Sequence, residues 1–322
     1  MDLIVWRHAE AHEAEPGEDD MQRALTPRGR KQAERMAVWL ENQLPQGTRI
    51  LSSPAVRSEQ TVRALGRKYK VRDALSPGAS VQDVLETALS KFAVRPIKVM
   101  CAGRTDAGVH GINQVVHLDT DLFREPFSWV RGTNTFLPPD VSVQWAVEVS
   151  KAFHARNSAR GRRYTYIVLE APVRPALESG RVGWVFRPLD LPAMQAAAAH
   201  LLGEHDFSSF RSSMCQSPTP VKHLRDIQIR RCQVPGRTSA YWRFDFEGQA
   251  FLHHMIRNIM GCLIMVGTGV QPADWVRVVR EARDRKVAAP TFSADGLYFM
   301  GPRYDPEWNL PEHVPAMDWL PV

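Results

Sequence analysis

The sequence predicts an α+β protein preceded by a partial α/β layer, and three observations carry that reading. Before residue 78 the order is strand, helix, strand, helix, which implies a parallel α/β layer. The stretch SPGAS at 76–80 is the clearest boundary signal in the chain. Beyond it strands and helices mix with no internal repeat at a fixed period and no low-complexity tract. A length of 322 residues accommodates two domains or one large one.

The elements follow in order. DLIVW at 2–6 is a short apolar strand that ends in Arg7-His8, and a polar, acidic loop runs over 10–20. Thr26-Pro27 starts a helix: Thr26 caps it, and Pro27 takes the first helical position, where its missing N–H is not needed. That helix carries Ala33, Met36, Ala37 and Leu40 toward a stop near Pro45. Residues 50–51 form another short strand, which turns at Ser52-Ser53-Pro54 into a helix bearing Arg57, Gln60 and Arg63. After the boundary come a helix over 81–92, strands over 97–102 and 115–118, and a short helix over 127–134. Strands at 143–149 and 163–169 precede an alanine-rich helix at 192–202. Strands at 227–231 and 242–246 lead to a long apolar helix at 251–266, a basic helix at 272–285 and a last strand at 297–300.

With 44% hydrophobic and 24% charged residues, the chain can bury a sizeable core. No apolar stretch reaches the roughly 18 residues that would span a bilayer. The first residues carry charge where a signal peptide is apolar. The expectation is a soluble, cytoplasmic protein without a membrane partner. Cysteines at 101, 215, 232 and 262 lack metal-type spacing and read as reduced structural thiols. A net charge of +6 and a pI near 9.3 admit a polyanionic partner. Over 150–169 there are Lys151, Arg156, Arg160, Arg162 and Arg163 and no acid, leading into alternating Tyr164, Tyr166 and Val168. Cations beside an aromatic-bearing strand are what nucleic-acid surfaces use. The basic run from Arg277 to Lys286 reads as the solvated face of a helix.

Two constellations carry chemistry. A histidine at a strand end can attack a phosphoryl group, and two arginines can hold its oxygens; Arg7, His8 and Arg57 supply that set. CAGRTDAGVHG at 101–111 places Asp106 between Arg104 and His110 at the end of a buried strand. Taken alone, such a carboxylate is a turn former. It is no P-loop, because the Lys-Ser/Thr ending is missing. Arg257 lies among Met255, Ile256, Ile259 and Met260, where an unpaired guanidinium is costly to bury, so it needs an anion, for which Asp106 is a candidate. The alternative is a snorkelling arginine at the helix edge. Tyr164 by itself reads as a core-facing strand tyrosine. His253 and His254 are adjacent, point to different helix faces and read as structural rather than as a zinc pair.

The fragments around Arg7-His8 and Arg57 resemble the small phosphohistidine phosphatases of the histidine phosphatase superfamily. The resemblance covers residues 1–78 and stops before that family's second histidine; after the strand at 97–102 stands Gly103-Arg104-Thr105-Asp106 instead. The implied pocket is incomplete and inactive. From VQDVLETAL (81–89) onward the chain resembles the tRNA pseudouridine synthase A family. The matching motifs are GRTDAGVHG, NQVVHLDTD (113–121), FHARNSARGRRYTY (153–166), GEHDFSSFR (203–211), CQSPTPVKHLRDIQI (215–229), FLHHMIRNIMGCLIMVG (251–267) and AAPTFSADGLYF (288–299). This family implies a mixed, largely antiparallel sheet with flanking helices, built of two ferredoxin-like halves. Asp106 falls on its catalytic nucleophile, Tyr164 on the tyrosine that contacts the target base, Arg104 on the arginine that keeps the nucleotide unstacked, and Arg257 on the cation paired with the carboxylate.

The implied function is isomerisation of uridine to pseudouridine in the anticodon stem-loop of tRNA, by a homodimer, with no metal or organic cofactor. The family's first strand and its Gly-Trp-Gln turn are missing, so the chain reads as a truncated phosphatase-like segment, 1–78, fused to a synthase-like domain, 79–322. The junction falls within 77–89, and strand 2–6 is expected to replace the missing strand. Two other readings stand beside this one. One is phosphoester hydrolysis by the front segment; the other is non-catalytic tRNA binding by a misassembled site.

Overall fold

The computed structural model describes residues 8–12, 20–45, 47–48, 50–71, 80–233 and 239–311. The chain divides into two compact units, Met1–Val84 and Leu85–Val322. The expected strand at 2–6, and with it the replacement of the missing strand, lies outside the described residues.

In the first unit, helix α1 (Pro27–Glu41) starts where the Thr26 hydroxyl accepts the Gly29 N–H at 2.9 Å. Its buried stripe is Ala33, Ala37 and Leu40. Strand β1 (Ile50–Ser52) pairs in parallel with β2 (Tyr69–Val71), and helix α2 (Val56–Arg63) connects them. The sequence reading missed β2, whose tyrosine-lysine-valine is too short and too charged to announce a strand. Ala37, Leu40, Val62 and Leu65 form the core, with Ile50 and Tyr69 packed against it.

Helix α3 (Val81–Ala93) straddles the division between the units. Asp83 accepts the backbone N–H of Ser80 at 2.8 Å while the Ser80 hydroxyl accepts that of Asp83 at 3.2 Å, a reciprocal cap. In the second unit, strand β3 (Met100–Cys101) pairs, among the described residues, with β5 (Val116–His117). Strand β4 (His110–Gly111) starts the main sheet, and helix α4 (Pro126–Asn134) follows. The remaining elements are β6 (Gly161–Glu170), β7 (Gly183–Val185), α5 (Leu191–Ala199), β8 (Gly203–Asp206), β9 (Val221–Gln233), β10 (Ala240–Gly248), α6 (Met255–Gly267), α7 (Trp275–Ala282) and β11 (Leu297–Arg303).

The sheet runs β4-β11-β6-β10-β9-β8, with β7 added to the far end of β6. It is mixed: β4 on β11 and β7 on β6 are parallel, and the other pairings are antiparallel. Tyr166, Val168, Trp242, Phe244, Phe246 and Ile229 line one face and bury against Met194, Ile259, Met260, Leu263 and Val276 of the three helices. The other face carries a smaller cluster of Ile167, Leu169, Val182, Tyr241 and Tyr298. A strand covered on both sides reads as a near-continuous apolar run, which is why β6 shows tyrosine, isoleucine, valine and leucine in succession.

Several expectations change. The strand expected at 97–102 pairs over two residues, Met100 and Cys101, among the described residues. Residues 143–149 join no ladder among the described residues; instead the Asn134 side chain donates to the Val143 carbonyl at 2.8 Å and accepts its N–H at 2.7 Å. The helix expected from residue 251 begins at Met255, because His254 takes left-handed backbone angles at φ +63°. The basic helix ends at Ala282 with Arg283 left-handed, and Arg285 turns inward to donate to Asn258 and Thr291. Among the described residues no helix is long and apolar enough to cross a membrane.

Candidate functional site

The loop between β3 and β4 is held where it leaves β3 by residues that follow β4, and where it enters β4 by that strand's pairing with β11. Ala102 donates to the Val115 carbonyl at 2.9 Å, and the Gln114 amide donates to the Gly103 carbonyl at 2.6 Å. A tight turn, closed by Val109 N–H to the Asp106 carbonyl at 3.1 Å, follows the carboxylate. That turn needs Gly108 at φ +81°, where a Cβ would also press on Ala294.

The segment before β11 supplies the opposite wall. The Tyr166 hydroxyl donates to the Ser293 carbonyl at 2.7 Å, and Gly261 in α6 lets the Pro290 carbonyl lie against the helix where any Cβ would collide. This segment orients Arg257: its Nε donates to the Phe292 carbonyl at 2.9 Å, and its guanidinium donates to Asp106 Oδ2, also at 2.9 Å. The Arg257 and Asp106 side chains are only 16% and 20% exposed, so the pair is largely shielded from solvent. The snorkelling alternative for Arg257 is thereby overturned.

The expectation that the two histidines point to different helix faces also fails. His253 Nε2 lies 3.1 Å from Asp106 Oδ1 and His254 Nε2 lies 3.3 Å from Oδ2, with the two rings 4.0 Å apart. The reading assumed a continuous helix, which would have splayed them. The left-handed step at His254 ahead of α6 brings both imidazoles to one carboxylate. No residue pattern announced that step. Burial lowers the His254 pKa, while Asp106 pulls against that shift. These three side chains offer metal-ligand atoms that all lie within 4.8 Å of one another.

Tyr164 is on the helix-covered face of β6, its ring 5.1 Å from that of Phe251 and 5.0 Å from that of Phe299. Burial pushes its phenol far above the ordinary tyrosine value; Arg162 opposes this shift and Asp106 adds to it. The hydroxyl therefore keeps its proton throughout the physiological range. Arg104 is exposed at the rim. His110 is not part of the site: its Nε2 contacts the Gly180 and Asp295 carbonyls at 2.8 and 3.1 Å, and its ring stacks on Tyr298.

The basic stretch divides by role. Arg160 pairs with Asp305 at 2.6 Å, and Arg162 knits loops by donating to the Arg156 and Gln249 carbonyls at 2.8 and 3.0 Å. Lys151 and Arg156 remain at the surface.

In the first unit Arg57 is 5% exposed and already engaged. Its guanidinium pairs with the Asp20 carboxylate at 2.6 Å, donates to the Asp20 carbonyl, and its Nε donates to His8 Nε2 at 3.3 Å. The cation expected to hold phosphate is thus occupied by a carboxylate of the chain itself. Arg7 lies outside the described residues.

Comparison with known proteins finds two families in the chain. A family model described as tRNA pseudouridine synthase matches residues 197–305, and one described as histidine phosphatase superfamily (branch 1) matches residues 3–78. The tRNA pseudouridine synthase A of Methylibium petroleiphilum is 62% identical over 256 residues, covering 80% of this chain and 96% of the relative. That of Paracidovorax citrulli is 60% identical over 268 residues, with the same coverage of 80% and 96%. Among solved structures, one assigned to phosphohistidine phosphatase SixA of Nakamurella multipartitia is 33% identical, with a TM-score of 0.20, over 28% of this chain and 48% of that one. A protein histidine phosphatase SixA complexed with tungstate is 30% identical, with a TM-score of 0.20, over 27% of this chain and 56% of that one. The chain spans about half the length of these phosphatases.

Proposed function

The chain belongs to the tRNA pseudouridine synthase A family, isomerases that convert uridine to pseudouridine in tRNA, and we propose that it works through Asp106 as nucleophile on uridines of the anticodon arm. The observation that carries this reading is the shielded ion pair of Asp106 with Arg257 at 2.9 Å, on a loop tied at its start by Gln114 and at its end by the pairing of β4 with β11. A guanidinium anchored to a backbone carbonyl orients the carboxylate it holds, and a fixed direction of approach is what a nucleophile at ribose C1′ requires.

A uridine in a stem must leave its stack to reach this carboxylate, at a cost of a few kcal/mol. Exposed Arg104 at the rim is suited to the gap left behind, and exposed Lys151 and Arg156 are suited to backbone phosphates. The Asp106 carboxylate bonds to C1′ as the C1′–N1 bond breaks, the uracil anion turns, C5 bonds to C1′ as the carboxylate leaves it, and the C5 proton passes to water while N1 ends protonated. Tyr164 is read as the residue that contacts the uracil, its ring set beside Phe251 and Phe299. We read residues 79–322 as the synthase domain, acting as a homodimer. Residues 1–78 are read as a phosphatase-like segment without phosphatase activity.

The test is incubation of the purified chain with unmodified tRNA carrying 5-tritiated uridine. Release of tritium, mapped to the anticodon arm and absent with Asp106→Asn, is the expected result. Tight tRNA binding with no release by the wild-type chain would select the non-catalytic reading instead.

A further inference from the structure

We propose that Asp106, His253 and His254 form a binding site for a divalent transition-metal ion of the zinc class, and that the bound ion inhibits the enzyme. Carboxylate and two imidazoles are the donor set such ions take, with water completing a tetrahedron. Ligands bound at about 2.0–2.1 Å to a tetrahedral ion stand about 3.3 Å from one another. The contacts from the imidazole nitrogens to the carboxylate are 3.1 and 3.3 Å, and all ligand atoms of the cluster lie within 4.8 Å. The one hydrogen bond that the Asp106 side chain makes among the described residues comes from Arg257, so the imidazoles approach it without hydrogen-bond alignment.

The backbone supports the same conclusion. His254 holds φ +63°, a conformation that costs a non-glycine residue energy, and this step brings both rings to one carboxylate. The cluster is open to an ion from solution, with side chains 20%, 39% and 30% exposed for Asp106, His253 and His254.

Arg257 opposes the ion, since its guanidinium holds Oδ2 at 2.9 Å. Metal and ion pair therefore compete for one carboxylate. On release Arg257 stays tethered through its bond to the Phe292 carbonyl. Binding stands on this geometry alone; inhibition rests on the assignment of Asp106 as nucleophile, whose oxygens the ion would occupy.

The full-length, chelator-treated protein is titrated with Co2+, then with Zn2+. The expected result is one equivalent of cobalt with the visible absorption of tetrahedral coordination, displaced by zinc. The His253→Gln/His254→Gln double variant and, separately, Asp106→Asn lose that band while keeping the wild-type far-ultraviolet circular dichroism. Arg257→Gln binds more tightly than wild type. Absence of the band in folded wild type, or its survival in the double variant, overturns the site; loss of the band in Cys215→Ser alone, whose Sγ accepts the His253 N–H at 3.4 Å, assigns the ion elsewhere and also overturns it. Zinc then stops tritium release and a chelator restores it. Binding with undiminished release overturns inhibition alone, whereas failure of the metal-free enzyme to release tritium counts against the proposed function and leaves the binding result standing.

Discussion

Arg257 of α6 and Asp106 of the loop between β3 and β4 stand 151 residues apart in sequence and meet through one hydrogen bond of 2.9 Å. Neither is positioned by its own element alone. The loop is pinned by Gln114, and the guanidinium is steered by the carbonyl of Phe292. The site is therefore a product of the sheet's topology, which brings β4, β11 and β6 side by side.

Asp106→Asn keeps the size of the side chain and removes its charge. Isomerisation is expected to fall by at least about a thousandfold, the scale for losing a nucleophile. Thermal unfolding should shift by only a few degrees, since no buried packing is lost. Tritium release within tenfold of wild type would remove Asp106 from the chemistry.

Arg257→Ala leaves a shielded carboxylate without its partner and frees the Phe292 carbonyl. A stability loss of about 1–3 kcal/mol is expected, together with a drop in isomerisation of about a hundredfold. Arg257→Lys should recover stability better than activity, because an ammonium cannot serve both acceptors in the same plane. Denaturant melts paired with single-turnover rates separate the two effects.

Gly296 lies where the segment before β11 crosses β6. A Cβ there would meet the Ile167 carbonyl oxygen, and would stand 2.5 Å from the Gly183 nitrogen and 2.6 Å from the Tyr166 ring. Gly296→Ala should cost about 1–3 kcal/mol or more and lower the melting temperature by several degrees. An unchanged melting temperature would mean that the crossing is looser than described.

The thiols should react in a fixed order. Burial raises the pKa of Cys215, but the N–H groups of Ser217 and His253 and the Arg211 side chain outweigh it, so the net shift is downward. Cys262 is fully buried in α6, and burial pushes its thiol up to about 11. Iodoacetamide at mildly alkaline pH should label Cys215 first and leave Cys262 untouched until the protein unfolds. Peptide mass spectrometry at timed intervals reads the order directly.

No hydrolysis of an aryl phosphate is expected, because Arg57 already holds Asp20. Hydrogen bonding by Arg23, ahead of the contributions of Arg57, lowers the Asp20 pKa. A carboxyl whose folded pKa is depressed stabilises above its unfolded value and stops doing so as pH falls through the folded one. Acid should therefore loosen the first unit through this group. Turnover of p-nitrophenyl phosphate above the uncatalysed rate, lost in His8→Ala, would contradict the assignment.

The sequence made the helices and the central strands legible, since caps such as Thr26-Pro27 and alternating runs such as Tyr164 to Val168 act within a few residues. The Asp106–Arg257 pair was also legible, because a guanidinium among methionines and isoleucines demands an anion. What escaped depends on partners far away in the chain. Residues 143–149 have the pattern of a strand but no neighbour to pair with among those described. The tyrosine-lysine-valine of β2 has a neighbour but almost no pattern. The two histidines were misjudged because one backbone angle decides where both rings go, and periodicity carries no information about a single left-handed residue.

That angle also bears on how the protein can vary. Only glycine, asparagine and aspartate enter the left-handed region with little strain, so position 254 admits a short roster of replacements. Lineages could lose the imidazole there by a single codon change and still keep the entry to α6 intact. Relatives with asparagine or glycine at this position would form a natural comparison group for whatever the second ring contributes.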